Sequence, residues 1–203
     1  MQPTDEALQT AVRILNQGGI VAYPTETCYG LGVMAENREA VARLRTLKGR
    51  DGLKPMSLLV AGAEWVIQLA RALNREERLL VEAFWPGPLT LLVNPENAHD
   101  FEHLASPYLA FRCSSHPVAM ALVKALRKPI TSTSANLSGE PVLENEEAVR
   151  ANFEGQGVFV LPEVETSRTP SESTIVAIEE GKLKILRLGV LSELDLLTAL
   201  SGG

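Results

Sequence analysis

Two hydrophobic periods alternate along the chain. Leu8, Ala11, Val12 and Leu15 share one helical face, Thr4 is placed to cap that helix, and Gly18-Gly19 stops it. Ile20 to Tyr23 is a short apolar run closed by Pro24, which predicts a buried strand. Asn37 is placed to cap a helix with Ala40, Val41, Leu44 and Leu47 on one side, and Met56 to Val60 predicts the next strand. Two helices follow, one around Glu64 to Ala72 and one from Asn74, with Glu77 at the capping-box position.

Trp85-Pro86-Gly87-Pro88 breaks the helical pattern ahead of a strand over Leu89 to Val93. Tyr108 to Cys113 predicts a further strand, and Ser115 a cap for a helix through Val118, Leu122 and Leu126. Pro129 to Thr133 reads as a strand running into the loop Ser134 to Gly139, followed by a polar helix near Glu144 to Phe153 and a strand over Val158 to Leu161. Pro162 to Glu172 reads as a mobile loop. Ser173 to Ile178 and Lys182 to Leu188 form a hairpin around Glu180-Gly181, and Ser192 caps a terminal helix. No repeat, low-complexity tract or interdomain linker interrupts the pattern. Crossover helices together with a hairpin predict one α/β domain over residues 1–203, with a twisted mixed sheet flanked by helices.

Composition narrows the class of protein. Hydrophobic residues make up 45% and charged residues 22%, the balance of a soluble globular domain. Nineteen Lys+Arg against 25 Asp+Glu give a formal charge of −6, which weighs against coating nucleic acid by bulk charge but leaves a local basic cleft open. The two cysteines, Cys28 and Cys113, cannot make a four-ligand zinc site, and reduced thiols are the expectation. The acidic, polar start MQPTDEALQT has neither a basic nor an apolar leader region, and no apolar run approaches the ~20 residues of a membrane span. A cytoplasmic protein is expected.

Polar clusters sit where apolar strands end, a common place for a ligand cleft in an open α/β sheet. Pro24 to Gly32 (PTETCYGLG) carries hydroxyls and two glycines, and reads either as a loop whose backbone approaches a ligand or as a tight connection. Lys48-Gly49-Arg50-Asp51-Gly52-Leu53-Lys54-Pro55 places three cations on glycine-punctuated backbone, suited to a polyphosphate or else a solvated loop. No GxxxxGK[ST] loop or dinucleotide fingerprint is present. Arg112, at the end of the apolar strand Leu109-Ala110-Phe111, must be paired or face a cavity; it either binds a substrate carboxylate or bridges to a nearby Glu. Ile130 to Gly139 ends a strand in hydroxyls, an amide and Gly, with Ser132 and Ser134 on one face and Thr133 on the other. Such groups position oxygens; the bland reading is a capping turn. His116, close to Arg112 and Cys113, lacks a third orienting group, and a helix N-terminus disfavours its imidazolium, so no covalent nucleophile is expected.

Taken in order, these segments resemble the YrdC/TsaC family, the L-threonylcarbamoyladenylate synthases. The matching pieces are Gly18-Gly19 into Tyr23-Pro24-Thr25-Glu26-Thr27, Tyr29-Gly30-Leu31, Lys48-Gly49-Arg50 with Lys54-Pro55, and Trp85-Pro86-Gly87-Pro88-Leu89-Thr90. They continue through Arg112 with His116-Pro117, Ser132 to Gly139, Ser173-Thr174-Ile175-Val176 and Leu186-Arg187-Leu188-Gly189. The resemblance implies a YrdC-like fold with a concave ligand cleft, in the single-domain form without the extra C-terminal domain of longer relatives. It also implies the reaction of ATP, L-threonine and bicarbonate or CO2 to threonylcarbamoyl-AMP and pyrophosphate. Downstream threonylcarbamoyl-transferase proteins then carry the group to tRNA N6-threonylcarbamoyladenosine; direct contact with tRNA is left open.

Carried over by residue, the resemblance assigns Lys48, Arg50, Lys54, Ser134, Asn136 and Arg187 to ATP, and Thr25, Arg112 and Ser132 to threonine. Ser173 and Thr174 are assigned to the cleft wall. Mg2+ would arrive with ATP, in keeping with the lack of a carboxylate cluster in the sequence. Three positions depart from the family pattern: Ser114 and Glu172 stand where proline is usual, and Ala177 replaces a common acidic residue. Two other readings are a non-catalytic RNA-binding module of this fold and a paralogue with another acyl acceptor. The acidic balance weighs against the first, and the intact Lys48-Gly49-Arg50 and Ser134 to Gly139 segments against the second.

Overall fold

Neighbouring residues of the first strand divide between two apolar cores. Val21 and Tyr23 enter one cluster while Ile20 and Ala22 enter the other, as alternation across a pleated strand requires. The computed structural model describes residues 5–49, 56–96, 101–104, 107–143, 145–163 and 171–202. In chain order the helices are α1 (Asp5–Asn16), α2 (Arg38–Leu47), α3 (Ala63–Leu69), α4 (Arg75–Phe84), α5 (Pro117–Leu126), α6 (Glu146–Phe153) and α7 (Glu193–Ser201). The strands are β1 (Ile20–Tyr23), β2 (Gly30–Gly32), β3 (Ser57–Leu59), β4 (Leu89–Val93), β5 (Leu109–Arg112), β6 (Ile130–Ser134), β7 (Val158–Val160), β8 (Thr174–Glu179) and β9 (Lys182–Arg187).

Among the described residues these strands form a sheet in the order β7-β1-β2-β6-β3-β5-β4-β8-β9. Pairs β1/β7, β3/β5 and β4/β8 are parallel and the remaining neighbours antiparallel, so the sheet is mixed as expected. One core packs α1 and α5 through Ala11, Leu15, Val118 and Leu122; the other packs α2 and α4 through Val41, Leu44, Leu80 and Val81. Helices therefore cover both faces.

Local chemistry explains most of the element boundaries. The Asn37 side chain accepts from Ala40 N, and Asn74 with Glu77 makes the reciprocal capping box. Ser192 with Asp195 makes another at α7. Glu180 and Gly181 turn the β8/β9 hairpin with φ of 50° and 73°, the handedness a two-residue turn demands. Asn74→Ala is expected to lower unfolding free energy by about 1 kcal/mol, measured by urea denaturation, because the Glu77 backbone N–H loses its Asn74 Oδ1 acceptor.

Two expectations need correction, and three more lie outside the described residues. Helix α5 is capped by His116 rather than Ser115: His116 Nδ1 accepts from Val118 N at 3.2 Å, with Pro117 in the first turn. Gly30–Gly32 is a strand, not part of a loop; Gly-Leu-Gly has poor strand propensity and is held by pairing with β1 and β6 on its two sides. Glycine is required there by close approach. A Cβ on Gly32 would lie 2.8 Å from both the Tyr23 ring and the Thr131 carbonyl oxygen. Tyr23 is fully buried and its hydroxyl donates to that same oxygen; burial pushes its pKa well above the ordinary phenol value. The Thr4 cap, the start of the polar helix at Glu144, and most of the Pro162 to Glu172 loop (164–170) lie outside the described residues.

Candidate active site

The sheet register draws a polar line across the middle of the fold. Gly30 pairs with Ser134, Ser132 with Ser57, Arg112 with Thr90, Thr90 with Ile175, and Ile175 with Arg187. These residues, with Thr25, Cys28, Thr133, Glu172 and Ser173, line a cleft of about 150 Å³. It is small beside the ~300–1,000 Å³ of drug-sized ligand pockets and suits a compact polar molecule. The cleft thus runs across strands on the sheet rather than sitting beyond one row of strand ends.

Arg112 is the buried charge of this line, only 6% exposed. Its Nη2 donates to Thr27 Oγ1 at 2.6 Å, Glu26 Oε1 at 3.1 Å and Thr25 Oγ1 at 3.3 Å, while Nε is buried with no partner. Nη2 is thus committed to the β1–β2 connection, while Nε has unused donor capacity. Arg112 makes the bridge to a nearby Glu, Glu26, and also lines the cleft. The Ser114 hydroxyl donates to Glu26 Oε2 and accepts from His116 N, so the serine in the family's proline position supports the carboxylate that holds Arg112. Thr25 donates to the Cys28 carbonyl at 2.6 Å and accepts from Cys28 N, closing the turn on which Glu26 and Thr27 sit.

At the other end of the line, Ser173 and Thr90 share a 2.8 Å hydroxyl hydrogen bond. Arg187 Nε and Nη2 donate to the Ser173 carbonyl at 3.1 and 2.9 Å, and Nη1 to Glu172 Oε1 at 2.5 Å. Thr174 does not line the cleft. Fully buried, it donates to Leu191 O and accepts from Gly189 N and Leu191 N, pinning the turn after β9. The Thr174 hydroxyl is spent on that turn, so of the pair only Ser173 lines the cleft.

Lys48 and Asn136 stand behind the cleft wall rather than in it. Lys48 is 3% exposed; its Nζ donates to the Ser134 carbonyl, to Asn136 O at 2.7 Å and to Asn136 Oδ1 at 3.3 Å. Ser134 Oγ in turn donates to Asn136 Oδ1 at 2.6 Å. Arg50 and Lys54 lie outside the described residues. Ser57, which donates to Ser132 O at 2.7 Å, and Glu26, Thr27 and Cys28 also belong to the site, and no role for them is legible in the sequence motifs. A signal for Ser57 existed, since it is the polar position inside the apolar run Met56 to Val60.

Neither thiol is poised as a nucleophile. Burial raises the pKa of Cys28, and that of Cys113 rises to about 11, chiefly by burial. Among the described residues no helix is long and apolar enough to cross a membrane.

Fold and site together define a mixed α/β domain with a polar, arginine-bearing cleft set into its sheet. The chain belongs to the Sua5/YciO/YrdC family, whose model, described as "Telomere recombination", matches residues 13–189. A threonylcarbamoyl-AMP synthase of Pyrococcus abyssi is 34% identical over 183 residues, covering 90% of this chain and 54% of that protein. One from Chromobacterium violaceum is 31% identical over 183 residues, covering 89% of this chain and 93% of its own. A crystal structure of P. abyssi Sua5 complexed with L-threonine superposes with a TM-score of 0.86 at 30% identity, over 95% of this chain and 56% of that one. The chain therefore spans about half the length of the Pyrococcus protein.

Proposed function

We propose that the protein is a threonylcarbamoyl-AMP synthase, condensing L-threonine, CO2 from bicarbonate, and ATP to threonylcarbamoyl-AMP and pyrophosphate. The observation that carries this reading is Arg112: a buried guanidinium lining a cleft of amino-acid size together with the hydroxyl residues Thr25 and Ser132. A carboxylate at Arg112 would leave the threonine hydroxyl and amine to the neutral donors and acceptors of Thr25, Ser132 and Ser57. The relatives named threonylcarbamoyl-AMP synthase support the same reading.

The chemistry asks for positioning more than covalent help. The threonine amine adds CO2 and loses a proton to give a carbamate, whose oxygen attacks the α-phosphorus of ATP while pyrophosphate leaves. Ser134, Ser173 and Arg187 lie along the cleft on either side of Arg112, where they can orient the nucleotide and stabilise its charge. Arg50 and Lys54 are proposed to meet the phosphates; Lys48 and Asn136 act by holding Ser134 in place. Mg2+ carried in with ATP would supply charge neutralisation on the phosphates. The product would pass in the cytoplasm to threonylcarbamoyl-transferase proteins acting on tRNA.

Incubation with Mg2+-ATP, L-threonine and bicarbonate is expected to release pyrophosphate only when all three substrates are present. No release above background would refute the synthase reading.

A further inference from the structure

A carboxylate faces each arginine of the cleft, but the two pairs are built differently. Glu26 and Arg112 are mostly buried, with side chains 14% and 8% exposed. Glu172 and Arg187 are 42% and 35% exposed, and both line the cleft. Glu172 is delivered there by a fixed backbone. Its carbonyl accepts from Val190 N at 3.1 Å, and Gly189 packs so tightly that a Cβ would lie 2.0 Å from that oxygen. Of the Arg187 donors, Nε and Nη2 are spent on Ser173, so Nη1 is the one a ligand anion could claim. Glu172 holds it at 2.5 Å.

We infer that Glu172 is an internal competitor for the anionic part of the nucleotide. Its carboxylate holds one N–H of Arg187 Nη1, so a phosphate drawn to that nitrogen must displace it or bind against its charge, and Glu172 thereby sets how tightly the cleft holds nucleotide. An exposed pair of this kind is weak and screened by salt, which makes displacement easy. The displaced carboxylate remains near a like-charged ligand and opposes its binding. The inference rests on the synthase reading, because it takes the ligand of Arg187 to be ATP.

Calorimetric titration of a non-hydrolysable ATP analogue with Mg2+ tests it, using wild type, Glu172→Gln, Arg187→Gln and the double variant. Glu172→Gln is expected to bind the analogue roughly three- to fivefold more tightly at low salt. The gain should shrink as ionic strength rises and vanish in the Arg187→Gln background. Threonine affinity, read in parallel, should not move. If wild type binds the analogue while Glu172→Gln gains nothing, or the gain survives without Arg187, the competitor role is overturned. If neither protein binds it, the synthase reading falls together with the inference.

Discussion

Arg112→Ala is expected to weaken L-threonine binding roughly 10- to 150-fold, the loss of one or two charge-assisted hydrogen bonds worth about 1.5–3 kcal/mol. Affinity for an ATP analogue should change much less. The same substitution has a structural cost, because it strands Glu26 in a mostly buried position with only the Ser114 hydroxyl to support it. Breaking a buried pair from one side costs about 3 kcal/mol or more. Arg112→Ala combined with Glu26→Gln separates the two effects: the double variant should regain much of the lost stability and none of the threonine affinity. Calorimetric titration and thermal denaturation of both variants provide the check. Equal loss of threonine and nucleotide would mean that Arg112 acts only as a scaffold.

Strand and helix identity were legible because each rests on a local rule. The caps at Asn37, Asn74 and Ser192 and the Glu180-Gly181 turn fall where their chemistry places them. Strand β2 was not legible, since Gly-Leu-Gly becomes a strand only by fitting between β1 and β6. The site divided along the same line. Which residues are polar inside apolar strands can be read from the chain, and Arg112, Ser132 and Ser134 stand out that way. Which of them spend their hydrogen bonds on the protein cannot. Thr174 and Lys48 carry the same side chains as true cleft residues would, and only the register and the loop path turn them inward. The departures at Ser114 and Glu172 likewise gained meaning only when each was found beside an arginine or its carboxylate partner.

Lys48 gives the second large effect, through the wall of the cleft. Its ammonium donates to three oxygens of the Ser134–Asn136 segment, and its carbonyl accepts from Ser138 N at 2.9 Å, so one residue ties both ends of that loop to the end of α2. Lys48→Met keeps the stem and removes the donors; the Ser134 carbonyl keeps Asn136 N and Asn136 Oδ1 keeps Ser134 Oγ, but each loses its charge-assisted bond and the Asn136 carbonyl loses the ammonium it faces in a nearly water-free position. The expected loss is about 3 kcal/mol of stability, which for a chain of this size lowers Tm by roughly 6–12 °C. Nucleotide affinity measured well below that Tm should fall about tenfold, because Ser134 Oγ loses the anchored Asn136 Oδ1 that orients it. Lys48→Arg should recover only part of either quantity, since a planar fork cannot meet three oxygens gathered around one ammonium. An unchanged Tm with nucleotide binding abolished would instead make Lys48 a direct phosphate ligand. A fall in both, with the stability loss dominant, makes the loop clamp the reason this lysine is needed.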